Sequence, residues 1–125
     1  MNKKRKRLPD GELMIMQIVW DNEPPVARST IEKKLGGEKQ LAPSTIITFL
    51  NRLCEKGFLS LERKGRTNYY TPLISRQTYL AEESRRMLDR LFGGSLANFA
   101  TALCDSGISR EEIETLRELL ERGTL

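Results

Sequence analysis

A chain of 125 residues with 38% apolar residues and a mean hydropathy of −0.47 has room for one domain, or a small domain with an appended element, around a modest core. It holds no histidine and only two cysteines, Cys54 and Cys104, which excludes a disulfide framework and removes the commonest general base and zinc ligand. The formal charge of +4 says little by itself, and no apolar run approaches the roughly 18 residues that cross a bilayer, so a membrane partner is not expected.

The basic start, Lys3-Lys4-Arg5-Lys6-Arg7, has the charge of a secretory leader. However, Pro9 to Glu12 interrupt it and Gln17 splits the next apolar stretch, so the reducing cytoplasm is the expected compartment. The same run reads equally as a disordered arm or as a contact with a nucleic-acid backbone. Asp10 stands where it can cap a helix through about Asp21, with Glu12 favourable in the first turn. Leu13, Met16, Val19 and Trp20 recur at helical spacing, widened by Ile15 and Ile18, and Asn22-Glu23-Pro24-Pro25 ends the run. Trp20 and Cys54 read as core residues. A second short helix fits Arg28 to Leu35, with Ser29 and Glu32 at capping-box spacing and Ser29 either at or inside the cap, and Gly36-Gly37 closes it.

A third helix opens at Pro43-Ser44 and closes at Gly57. Ile46, Phe49, Leu50 and Leu53 fall on one face; Ser44, Thr45, Ile47, Thr48, Asn51 and Arg52 form the other. Phe58–Arg63 and Thr67–Pro72, rich in β-branched and aromatic residues, predict a hairpin around Lys64-Gly65-Arg66. Helical patterning returns after Ser75 and runs to about Phe92, where Gly93-Gly94 breaks it. Leu96–Cys104 makes another helix, and a last one begins after Ser109, whose capping box with Glu112 precedes Ile113, Leu116, Leu119 and Leu120.

The order predicts a mainly α fold with a small β-hairpin: a winged helix-turn-helix domain over 1–73, with a basic N-terminal arm, then a helical dimerisation domain over 74–125. Charge divides in the same way. Through Leu73 there are 14 Lys/Arg against 8 Asp/Glu; from Ile74 there are 7 against 9. The basic first part is therefore the one expected to meet double-stranded DNA. Its third helix would read the major groove through Ser44, Thr45, Ile47, Thr48, Asn51 and Arg52, while Arg63, Lys64 and Arg66 at the hairpin touch flanking phosphates. In the second part, Leu88, Leu91, Phe92, Ile113, Leu116 and Leu120 form an apolar surface too large for a small helical tail to bury alone, which predicts a homodimer. No Gly-rich phosphate loop, paired-cysteine motif or histidine proposes an enzyme, a metal or a cofactor. A winged-helix regulator controlled by a small ligand, and a winged-helix protein-interaction module, are the alternatives.

Three stretches together resemble the penicillinase-repressor family (BlaI/MecI type). They are Glu12 to Trp20; Pro43-Ser44-Thr45-Ile46-Ile47-Thr48 leading to Arg52-Leu53 and Lys56-Gly57-Phe58; and Tyr70-Thr71-Pro72-Leu73. Gly93-Gly94-Ser95 and Ile113–Leu120 match its C-terminal portion, so the resemblance spans nearly the whole chain. It implies a homodimeric repressor at palindromic operators with TACA/TGTA-like half-sites, with Thr45, Thr48 and Arg52 on the DNA and Arg66 on its backbone. Ser44 and Ile47 stand where some members carry charged or longer polar residues; an exposed Ile47 suits a thymine methyl group. The resemblance also implies a possible sensor-linked protease that inactivates the repressor. Asn98-Phe99 resembles the bond cut in the antibiotic-responsive branch, although it stands about a turn early, which favours a chance dipeptide. The copper-responsive branch needs paired Cys-x-Cys motifs that Cys104 alone does not supply.

Overall fold

The computed structural model describes residues 7–36 and 41–123, arranged as two compact units, a first through Glu83 and a second from Ser84. The basic run at residues 3–6 and the end of the Gly36-Gly37 stop lie outside the described residues.

In the first unit, helix α1 (Asp10–Trp20) is followed by a two-residue strand β1 (Val26–Ala27), helix α2 (Arg28–Leu35) and helix α3 (Pro43–Glu55). Strands β2 (Leu59–Lys64) and β3 (Thr67–Pro72) complete it, with the start of helix α4 (Arg76–Phe92). The sheet has the order β1-β3-β2 and is antiparallel throughout. The expected hairpin is therefore part of a three-stranded sheet. Its turn is Gly65-Arg66 alone, since Lys64 already pairs with Thr67, and Gly65 takes the φ of +64° that a tight turn requires. At α1, Pro9 rather than Asp10 occupies the cap; Asp10 is the first helical residue, where its charge meets the helix's positive end.

The core gathers Ile15, Met16 and Val19 from α1, Ile31 and Leu35 from α2, and Ile46, Leu50 and Leu53 from α3. Phe58, Leu59 and Tyr70 close it from the sheet, and each large apolar side chain so buried contributes roughly 1.5–3 kcal/mol. The buried stripe of α1 is offset from the expected one: Glu12, at i to Ile15, Met16 and Val19, lies on it, whereas Leu13 and Trp20 are only partly buried. Glu12 is the buried charged residue of this core, and Lys56 Nζ donates to its Oε1 at 2.5 Å. Beside it, Gly11 leaves room for the Phe49 ring; a Cβ there would stand 2.5 Å from a ring carbon.

The first unit continues past the expected boundary at Leu73 because α4 begins inside it. Tyr79 is buried, edge-on to Phe58 at 5.7 Å, and its hydroxyl accepts a hydrogen bond from the Leu8 backbone N–H at 2.9 Å. Trp20 Nε1 donates to the Ile74 carbonyl, and the Arg76 guanidinium pairs with Asp21 at 2.6 Å while lying 5.6 Å over the Trp20 ring.

In the second unit, α4 ends at two left-handed glycines, Gly93 and Gly94, and α5 (Leu96–Asp105) and α6 (Arg110–Gly123) come after them. Ser95 caps α5 by accepting from the Asn98 N–H. The expected capping box of α6 is present: Ser109 Oγ accepts from the Glu112 N–H, and the Glu112 carboxylate accepts from the Ser109 N–H, both at 3.0 Å. No residue of α5 or α6 is buried.

Candidate nucleic-acid interface

Helix α3 owes its position to both of its ends. Ala42 is extended and Pro43 takes the first helical position, where its missing N–H costs nothing. At the other end Gly57 (φ +83°) reverses the chain, with Phe58 N–H donating to the Leu53 carbonyl and Gly57 N–H to that of Cys54. This is a Schellman motif, and it delivers Phe58 to the core and the chain directly into β2.

With Ile46, Leu50 and Leu53 buried, the opposite side of α3 presents Ser44, Thr48, Asn51 and Arg52, all exposed; Thr45 and Ile47 are half-buried at its two margins. The Thr48 hydroxyl donates to the Ser44 carbonyl at 3.0 Å. Its proton is thus spent on the helix, and what faces outward is a hydrogen-bond acceptor and a methyl group. On the hairpin Arg63, Lys64 and Arg66 are all exposed, but they are not equivalent. Arg63 Nε folds back onto the Gly65 carbonyl at 3.2 Å, and Lys64 Nζ lies 5.8 Å from the centre of the Tyr69 ring. Arg66 turns toward α2 and lines a cleft of about 130 Å³ with Arg28, Ser29, Glu32, Thr67 and Asn68.

Next to this cleft, burial pushes the Tyr70 phenol above its ordinary value; a hydrogen bond with Asn68 and the charge of Arg28 act against that, while Cys54 and Glu32 add to it. Burial likewise raises the Cys54 thiol, helped by Glu55. Cys54 packs against the core as expected.

The remaining sequence-predicted residues belong to the second unit. Leu91 and Leu120 are more than half exposed, Ile113 and Leu116 rather less, and Leu88 and Phe92 are half-buried. Asn98 and Phe99 lie in the first turn of α5, with the Phe99 ring edge-on to Phe92 at 5.5 Å. Sequence reasoning did not group Arg28 and Ser29 with Arg66, Thr67 and Asn68, because only the pairing of β1 with β3 brings the start of α2 beside the hairpin turn. A two-residue strand leaves no periodic signal. Glu12 did leave one, since its spacing to Ile15, Met16 and Val19 is that of a buried face.

A three-helix unit whose last helix turns a polar face outward beside a basic, sheet-anchored hairpin defines a winged helix-turn-helix DNA-binding protein. The model of one family, the penicillinase repressor, matches residues 8–122, and the chain belongs to that family of transcriptional repressors. The methicillin resistance regulatory protein MecI of Staphylococcus aureus is 24% identical over 123 residues, covering 98% of this chain and 99% of the relative. The transcriptional regulator BlaI of Mycobacterium tuberculosis is 30% identical over 78 residues, 62% of this chain and 56% of that protein. Among solved structures, the DNA-binding domain of the repressor BlaI superposes with a TM-score of 0.54 at 33% identity, over 63% of this chain and 94% of that one. The monomeric form of Bacillus licheniformis BlaI in complex with the blaP half-operator gives 0.52, also at 33% identity, over 62% and 94%.

Proposed function

We propose that this chain is a dimeric transcriptional repressor that occupies palindromic operators, each subunit laying α3 in the major groove of one half-site. The observation that carries this reading is the division of α3 into a buried apolar face and an exposed face of Ser44, Thr48, Asn51 and Arg52. Arg52 has the reach and fork geometry for guanine or phosphate, and Asn51 can pair with adenine. Thr48, with its proton committed to Ser44, accepts from a base amino group or sets its methyl against thymine. Thr45 and Ile47 border the groove, Ile47 suiting a thymine methyl group, and Arg63, Lys64 and Arg66 hold the flanking backbone. Family membership suggests TACA/TGTA-like half-sites. The partner is a second copy of the chain, joined through Leu88, Leu91, Phe92, Ile113, Leu116 and Leu120; it is supported by a second unit whose last two helices contain no fully buried residue. Among the described residues no helix is long and apolar enough to cross a membrane.

Release from the operator through a sensor-linked protease is the regulation that family membership suggests. Asn98-Phe99 is held in a helical turn by the Ser95 cap, so cleavage there requires that turn to unwind first. Mass analysis of the chain after induction tests this, and an intact Asn98-Phe99 bond in derepressed cells removes it.

Footprinting upstream of the protein's own gene and its neighbours should show a protected palindrome; protection of no such site sinks the repressor reading. Thr48→Ala and Arg52→Ala should each weaken binding to that site by about 1–3 kcal/mol and relax its sequence preference. Arg66→Ala should instead weaken binding to all sequences alike. It should also lower the slope of log affinity against log salt by about 0.9 per subunit, as loss of one phosphate contact does; an unchanged slope takes the hairpin off the backbone.

A further inference from the structure

We propose that the cleft between the first turn of α2 and the root of β3 is a phosphate site, with Arg28 and Arg66 as its cations, and that it takes a backbone phosphodiester at the edge of the groove read by α3. The proposal rests on the DNA-binding reading above.

The cleft is a product of strand pairing. Ala27, the last residue of β1, pairs with Tyr69 and is followed at once by Arg28, so the ladder sets the start of α2 beside Thr67, Asn68 and Arg66. All six lining residues are polar or charged. A site for an organic ligand needs mostly apolar walls, and this lining is mostly polar; guanidinium, hydroxyl and amide donors around a small opening suit a compact anion. Two arginines face one carboxylate. Arg28 Nε stands 3.3 Å from Glu32, which orients the guanidinium yet leaves its other nitrogens free to donate, and Arg66 makes no ion pair among the described residues. At about 130 Å³ the cleft is well beyond the space of one water.

Its location fits a DNA phosphate. Arg66, in the hairpin turn, brings the cleft to the part of the chain that the reading above sets on the flanking backbone. A phosphate in the cleft would therefore flank the bases that α3 meets.

The test uses the full chain with two duplexes, one selected by the chain from a random-sequence library and one unrelated. Arg28→Gln should weaken both about tenfold per subunit, as loss of a charged hydrogen bond does, and lower the salt slope by about 0.9 per subunit. The preference for the selected duplex should stay unchanged. Glu32→Gln should tighten both by roughly two- to fivefold, a gain that misfolding does not mimic. Inorganic phosphate, titrated without DNA against the Asn68 side-chain amide signals, separates the two sources of phosphate. Shifts abolished by Arg28→Gln, with an unchanged salt slope, would keep the cleft as a phosphate site and overturn its assignment to DNA. If neither variant changes affinity or slope while the chain still prefers its selected duplex, and inorganic phosphate moves no signal, the proposal fails and the repressor reading stands. A wild-type chain that shows no preference between the duplexes sinks the repressor reading itself, and the inorganic-phosphate titration then still decides whether the cleft is a phosphate site.

Discussion

Leu116→Glu together with Leu120→Glu is expected to turn the protein into a monomer by sedimentation and to lower its affinity for a two-half-site duplex by about 10²–10⁴-fold. Binding to a single half-site should hardly change. Leu116 and Leu120 stand at i+3 and i+7 from Ile113 on α6, a helix with no buried residue, and Leu120 is 57% exposed. Apolar surface of this kind is stabilised when a partner covers it, and two carboxylates per subunit at the centre of such a seam would face each other across a two-fold axis. The loss on DNA is large because a dimer binds its second half-site intramolecularly, at an effective concentration far above that of free protein. A variant that remains dimeric would take α6 out of the interface; a wild-type protein that is monomeric at all concentrations would remove the dimer.

Lys56→Met should destabilise the DNA-binding unit by about 3 kcal/mol, because it leaves the Glu12 carboxylate, only 1% exposed, without its counter-ion. For a unit of this size that is a fall of roughly 12–24 °C in the midpoint of thermal unfolding. Lys56 itself is 37% exposed, which places the effect at the lower end of the range for buried pairs. Glu12→Leu added to Lys56→Met should recover most of the loss, since an apolar pair of similar volume is commonly as stable as a buried ion pair. Calorimetry on the two variants checks this, and a Lys56→Met midpoint within a few degrees of wild type would show that water already reaches Glu12.

Much of the fold was legible because its signals are local. Pro43 and Gly57 delimit α3, Gly65 marks the hairpin turn, and Ser109 with Glu112 announces α6; each acts within four residues of itself. The polar face of α3 came from the same helical period that placed Ile46, Leu50 and Leu53 inside. The offset of the α1 stripe was harder, because Glu12 is an acid in a position that periodicity marks as core. Only the arrival of Lys56, 44 residues later, makes that burial tolerable.

Local chemistry in the sequence was thus enough to determine a winged helix-turn-helix order, the third helix and its outward residues, and an apolar helical tail. Tertiary structure alone decided that β1 joins the hairpin's sheet, that α4 starts inside the first unit through Tyr79 and Arg76, and that Arg28 and Arg66 line one cleft. The reason is physical. A cap, a turn or a helical face depends on neighbours a few residues away, whereas a strand pairing, an ion pair or a cleft depends on which distant segments the buried core brings together.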